Sequence, residues 1–258
     1  MIEQYKSIWK RRELLFFLVT SDLKSEQRNK VLGYLWSFLD PLLLLATYIV
    51  LVVVIFDRGG PQFPVLLFCA ILAWRWFTGA LSRSVTSVSS KVSVVQTTRF
   101  PLAVLPLTIV TTGLVDYLAG LIILLPLLFA FDATFSVHML WLPLLLFIQL
   151  LGTIGASLIC AVIGTYLTDW KNILEFGLRL WFFLSPIIYS VEGTVPERYQ
   201  TFFWLNPFAA LLESYKNILV RGTAPSEYIF VPVGMAIIAF LVGSWYFARE
   251  ERNLVKAV

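Results

Sequence analysis

The sequence predicts an all-α integral membrane protein: six transmembrane helices, an amphipathic helix ahead of them, and a re-entrant helical hairpin on the outer side. Three observations carry that prediction. Of the 258 residues, 59% are hydrophobic and only 14% charged, against about 45–50% and about 25% in an ordinary soluble domain. Six apolar runs come near the roughly 20 residues a helix needs to cross a bilayer. Lysine and arginine crowd the segments on one side of those runs. A chain of this length has no room for six spans and a second full soluble domain, so a large catalytic engine would have to be another chain.

Residues 1–30 interleave Lys6, Lys10, Arg11, Arg12, Lys24, Arg28 and Lys30 with Tyr5, Ile8, Trp9 and the run Leu14 to Val19. Basic stems beside aromatic and aliphatic side chains suit a helix lying in the headgroup plane. The apolar run is shorter than a signal-peptide core and no small-residue cleavage site follows it, so the segment is expected to stay in the mature protein. Residues 31–258 are expected to form one six-span domain. The spans are read at Leu35 to Phe56, Phe63 to Ser82, Pro106 to Leu128, Leu140 to Tyr166, Ile173 to Tyr189 and Tyr228 to Ala248. No repeat of 20 to 50 residues, low-complexity tract or internal linker interrupts them.

An even number of spans puts both termini on one side. That side collects the seven basic residues of the first segment, then Arg83, Lys91, Arg99, Lys171, Arg249, Arg252 and Lys256. The opposite side holds Arg58, Arg198, Lys216 and Arg221. The bias places both termini in the cytoplasm. The net charge of +4 is too small and dispersed for a nucleic-acid footprint.

The long outer segment, about residues 190–227, is rich in aromatic and aliphatic side chains. Phe208, Leu211, Leu212, Tyr215, Ile218 and Leu219 fall at helical spacings on one face. Asn206-Pro207 is a helix break, because proline disfavours helix before itself and suits a helix start. Two short helices forming a hairpin, re-entrant or lying on the surface, are expected, with Trp204, Asn206 and Pro207 at the joint. The alternative is an amphipathic loop that merely covers helix ends.

Catalytic chemistry is hard to find. The phosphate-loop pattern GxxxxGK[ST] is absent. A lone His138 excludes His-based multi-ligand zinc sites and a Ser/His pair. Cys69 and Cys160 both sit in apolar runs and read as small packing residues. No metal site and no cofactor is expected in this chain.

Ionisable groups inside spans need a partner or a water-lined cavity. Arg75 and Asp116 each lie twelve residues from the outer end of an apolar run, about 18 Å deep at 1.5 Å per residue. They are expected to form a structural ion pair, the alternative being a pore-facing arginine that meets an anionic substrate. Glu175 and Arg179, four apart, can pair at the cytoplasmic start of the fifth span and mark the mouth of a path walled by Trp181, Phe182 and Phe183. Tyr34, Phe38, Pro41, Leu45 and Tyr48 line one face of the first span; such a stripe is either packing or a binding surface. Polar-tipped aromatics can stack on the apolar faces of sugars, which suits a sliding polymer. In the fourth span Gly152 and Ala156 permit close helix approach. Residues 84–101 are polar and basic, either a cytoplasmic docking knob or an inert connector.

The ordered motifs TSDLK (20–24), LGYLW (32–36), FLDPL (38–42), WRWF (74–77), TTRFPLAVLP (97–106), TDW (168–170), SPIIY (185–189) and LNPF (205–208) resemble the membrane subunit of type-2 ABC exporters. Within that group the chain is similar to permeases exporting O-antigen, other polysaccharides or teichoic acid. The likeness spans nearly the whole chain. It implies a homodimer with two cytoplasmic ATP-binding subunits, which would hold ATP and Mg, and a lipid-linked glycan as cargo. The resemblance makes the N-terminal helix an interface helix. It makes the segment carrying Lys91, Arg99, Phe100 and Pro101 an ATPase coupling segment, and Val195 to Asn217 periplasmic gate helices. Tyr48, Trp181, Phe182 and Tyr189 are carried over as path-wall residues. Arg75 departs from the mostly neutral family pattern, and Thr168 stands where a basic residue often precedes Asp169.

The expected function is therefore that of a non-enzymatic, multi-pass permease in the cytoplasmic membrane, exporting lipid-linked O-antigen-type polysaccharide with energy from a partner. Export of teichoic acid, a lipid or a hydrophobic drug is the alternative within transport. A membrane-embedded envelope transferase is the alternative outside it.

Overall fold

The computed structural model describes residues 12–25, 35–57, 59–91, 100–191 and 194–257. Among them every regular element is helical. α1 is Arg12–Ser25, α2 is Leu35–Ile49 with a wide π-type turn over Val50–Ile55, α3 is Phe63–Ser84 and α4 is Val104–Ala130. α5 is Leu142–Tyr166, entered through a 3-10 turn at Val137–Trp141, and α6 is Trp170–Leu184. The hairpin follows as α7, Glu197–Trp204, and α8, Pro207–Lys216, which ends in a π-type turn over Asn217–Arg221. α9 is Phe230–Ala257, preceded by a 3-10 turn at Glu227–Ile229. Of the sequence expectations, Tyr34, Arg58, Arg99 and the flanks of α1 fall outside the described residues, as does the side chain of Phe38.

Four described stretches are long and apolar enough to cross a membrane: Phe63–Ser84, Val104–Ala130, Val137–Tyr166 and Glu227–Lys256. The first and fifth predicted spans are shorter as helices. α2 contributes the apolar stretch Leu39–Ile55. α6 has 15 residues, about 22 Å at 1.5 Å each. It starts at Trp170, ahead of the predicted start, and stops at Leu184 because Pro186 drives Ser185 into extended backbone, ψ 142°. Tyr189, expected at the end of that span, lies beyond the helix in irregular chain.

α3 is the central helix, its apolar stretch 72% buried against 22% for those of α4 and α9. Two buried side chains tie it to its neighbours. The Trp76 indole donates to the Val110 carbonyl at 3.1 Å, and the Gln149 amide to the Ala73 carbonyl at 2.7 Å. Lipid offers no partner for such groups, so pairing inside the protein is required. α5 and α9 run in the same direction and pack most extensively of the helix pairs. Gly152 faces Ala236, but the closest approach is at Gly155, where an added Cβ would lie 2.2 Å from the Ala239 carbonyl carbon. Ala156, which the sequence paired with Gly152, turns instead toward the core around α3.

Contacts at the two ends of the bundle bring distant segments together. At one end Asp22 of α1 bridges Arg83 of α3 at 2.5 Å, and Glu251 near the end of α9 accepts the Leu102 N–H at 2.7 Å. Leu15 and Leu18 of α1 pack there against the buried cluster that includes Leu102, Val104 and Leu254, while Phe16 and Phe17 stay exposed. At the hairpin end the Thr134 N–H donates to the Val220 carbonyl at 2.9 Å, and Trp204 stacks on Tyr228, 5.2 Å between nearly parallel rings. Gly222 closes the hairpin in the left-handed region, φ 68°, which favours glycine.

Candidate functional site

α2, α3 and α6 enclose an open groove of about 560 Å³. Helical spacing builds each wall. α3 presents Trp74, Thr78 and Ser82 four residues apart, α6 presents Glu175, Leu178, Arg179 and Phe182, and α2 adds Leu44 and Tyr48. Tyr48 stacks on Phe182 with ring centroids 5.7 Å apart, and Trp74 meets Phe182 edge-on at 6.0 Å. At the groove's charged end Arg179 lies 4.0 Å from Glu175, as the spacing predicts. The arginine side chain is 77% exposed, so the pair adds little stability and instead sets the charge of the mouth. Ser82 and Glu175 also line a smaller cavity with Asp22, Arg83, Lys91 and Lys171, so the groove leads to the α1 end.

The predicted wall residues separate. Tyr48 and Phe182 line the groove. Trp181 stands behind it, in an aromatic cluster with Trp74, Phe77 and Phe208 at centroid distances of 5.4 to 5.9 Å. Tyr189 lines a different cavity, of about 770 Å³, together with Phe56, Phe63, Ile187 and Lys216, and its hydroxyl donates to the Phe183 carbonyl at 3.1 Å. Of the coupling residues, Lys91 ends a 3-10 turn and lines the cavity at the α1 end. Phe100 packs inward on the cluster of α4, α5 and α9. The Pro101 carbonyl accepts the Val104 N–H at 3.1 Å, opening α4.

The ion pair made by Arg75 is with Asp40 of α2, at 3.4 Å, and not with Asp116. Equal depth brings Asp116 near, but α2 lies closer to the guanidinium. All three line one cavity of about 460 Å³ with Trp36, Trp76 and Tyr117. The pair is 41% and 52% exposed, so its value rests on its depth in the bilayer, where an ionised group needs a partner. Asp40→Leu is therefore expected to lower the melting temperature of purified protein more than Asp40→Leu with Arg75→Leu; equal melts would dissolve the pairing.

The hairpin joint is a hub. Asn206 caps α8 by accepting the Phe208 N–H at 3.0 Å, and Pro207 occupies the first turn, where its missing N–H matters least. The six residues read as one face, Phe208 through Leu219, are all buried, and so are Ala209, Ala210 and Ser214. α8 is thus part of the core. Lys216, 3% exposed, donates from Nζ to the Pro186 carbonyl at 2.5 Å, with Glu213 at 3.9 Å. Sequence reasoning did not join Trp74 and Phe208 to the aromatic cluster, nor Lys216 to the joint; the signal for the last was a charge set inside an apolar helical stripe. Among the described residues, no three His, Cys, Asp or Glu side chains gather as a metal site requires, and both cysteines are buried and unbridged.

Residues 13–220 match the family description "ABC-2 type transporter". That range runs from α1 through the groove to the end of the hairpin. The chain belongs to this family. The O-antigen export system permease protein RfbA of Myxococcus xanthus is 28% identical over 260 aligned residues, covering 100% of both chains. The Klebsiella pneumoniae protein of the same name is 28% identical over 232, 90% of this chain and 89% of that one. The polysialic acid transport protein KpsM of Escherichia coli is 24% identical over 232, 86% and 88% of the two. As an ABC-2 type transporter with several apolar helices, the chain is a multi-pass membrane transport protein, and the groove and hairpin are its candidate working parts.

Proposed function

We propose that the chain is the permease subunit of an ATP-driven exporter that moves lipid-linked polysaccharide of the O-antigen type across the cytoplasmic membrane. The observation that carries this reading is the open groove walled by Tyr48, Trp74 and Phe182: polar-tipped and flat aromatic faces can stack on sugar rings without fixing a register. An open groove is half a conduit, and a second copy supplies the other wall in a homodimer. α2 and α6 complete six crossings with the four longer helices, both termini lie in the cytoplasm, and the hairpin dips into the outer leaflet as a gate. Two ATP-binding subunits, carrying ATP and Mg, dock at the α1 end on the segment of Lys91, Arg99, Phe100 and Pro101. ATP drives the cycle only by binding one arrangement of the halves better than the other.

Reconstitution of the chain with its ATPase tests the reading. Glycan-stimulated hydrolysis and export support it. Stimulation by a hydrophobic drug alone would assign a small-molecule exporter, and product formation without nucleotide a transferase. One aromatic contact is worth about 0.5–1.5 kcal/mol, so Tyr48→Ala with Phe182→Ala is expected to slow export about tenfold at unchanged protein yield. Undiminished export in that variant would remove the groove from the path.

A further inference from the structure

We propose that Asn206 is a positioning residue for transport, fastening the hairpin to α6 so that the two move as one body; the idea rests on the export reading above. One carboxamide spans both elements and uses its full bonding capacity. Its Oδ1 accepts from the Trp181 indole at 3.0 Å and from the Phe208 N–H at 3.0 Å. Its Nδ2 donates to the Leu184 carbonyl at 3.2 Å and to the Ser185 hydroxyl at 3.0 Å. Capping α8 needs only the Phe208 bond. The other three bonds reach the last turn of α6 and the residue after it, where the end of the helix leaves backbone groups without helical partners.

The rest of α6 is lightly held. Leu178 is its one buried residue, while Ile173, Phe176, Leu180, Phe183 and Leu184 are exposed. Trp170 and Leu174 pack on the core near its start, but its side-chain hydrogen bonds concentrate at the Asn206 end, where Lys216 adds a second tie through the carbonyls of Pro186 and, at 3.5 Å, Tyr189. Glu175 and Arg179, in the middle of α6, stand at the groove mouth. A displacement there is transmitted along the helix to Trp181 and, through Asn206, to α8.

The test separates tying from capping. Asp and Ser cap helices about as well as Asn. Asn206→Asp keeps oxygen acceptors for Phe208 and Trp181 but sets a carboxylate oxygen against the Leu184 carbonyl. Asn206→Ser caps and is too short to reach α6. Spin labels at Leu180→Cys and Phe202→Cys, both exposed positions, report the α6 to hairpin distance in the reconstituted exporter. The unaltered joint is expected to give one narrow distance distribution, the same with and without a non-hydrolysable ATP analogue. Both Asn206 variants are expected to broaden it and to cut export at least tenfold. A distance that changes with nucleotide in the unaltered joint, or Asn206 variants that keep the narrow distribution or full export, would overturn the proposal. Absence of glycan export even from the unaltered protein would count against the export reading alone, because the label distances stand apart from cargo.

Discussion

Gly155→Ala is expected to abolish recovery of folded, monodisperse protein, while Gly177→Ala is expected to raise the melting temperature slightly. A Cβ at 155 would lie 2.2 Å from both the carbonyl carbon and oxygen of Ala239 and 2.4 Å from the Phe240 nitrogen. Those are backbone atoms of α9, so no side-chain rotation relieves the overlap and the helices must separate. Overpacking of side chains costs about 1–3 kcal/mol; here the strain falls on the most extensive helix pair of the molecule. Small residues are what let backbones approach in membranes. At Gly177 of α6 a Cβ would meet nothing within 4 Å, and alanine is the better helix former by about 1 kcal/mol. Size-exclusion profiles and thermal melts of the two variants read the difference. A monodisperse, unshifted Gly155→Ala protein would mean that α5 and α9 are not in backbone contact.

Long apolar runs made α3, α4, α5 and α9 legible, because helix length follows from bilayer thickness. Phe63 and Tyr166 were read as boundaries and are boundaries. α6 was read out of frame. Lys171 and Asn172 look like loop, yet they occupy its first turn, and the apolar stretch Ile187 to Tyr189 beyond Pro186 looks like helix but is not. Composition reports burial, whereas Pro186 sets the backbone of Ser185 and so ends α6.

In the site, what lay along one helix was readable: Glu175 with Arg179, and the Asn206-Pro207 break. What depended on which helices touch was not. Counting depth put Arg75 level with Asp116 but carried no information on azimuth, and Asp40, beside Pro41 within α2, went unread as its partner. Trp74 entered the sequence reading only within the WRWF motif. It is the centre of the cluster because Phe208 arrives from the hairpin, with centroids 5.2 Å apart, and no period in sequence records that encounter.

Glu213→Gln is expected to destabilise the protein by about 3–5 kcal/mol, the usual cost of breaking a buried ion pair. The carboxylate stands between two cations: one oxygen bonds Arg221 and the other lies 3.9 Å from Lys216. Arg221, a third exposed, keeps the Asn217 side-chain Oδ1 at 2.7 Å and can reach water. Lys216 cannot. Burial pushes its pKa below the ordinary 10.5 and Glu213 pulls it back up; α8 is outside the four long spans, so the group sits in protein. Without the carboxylate the folded pKa falls further. The unfolded chain then holds the proton that the folded one has lost, and stability rises with pH between that lowered value and 10.5. Two results follow. Lys216→Met in the Glu213→Gln background is expected to restore much of the loss, because the stranded charge is gone. The single Glu213→Gln variant is expected to melt higher as pH is raised toward 10.5, and the double variant to show no such rise. If both variants melt alike at every pH, Lys216 is not the group that Glu213 neutralises, and its hold on Pro186 is a plain hydrogen bond.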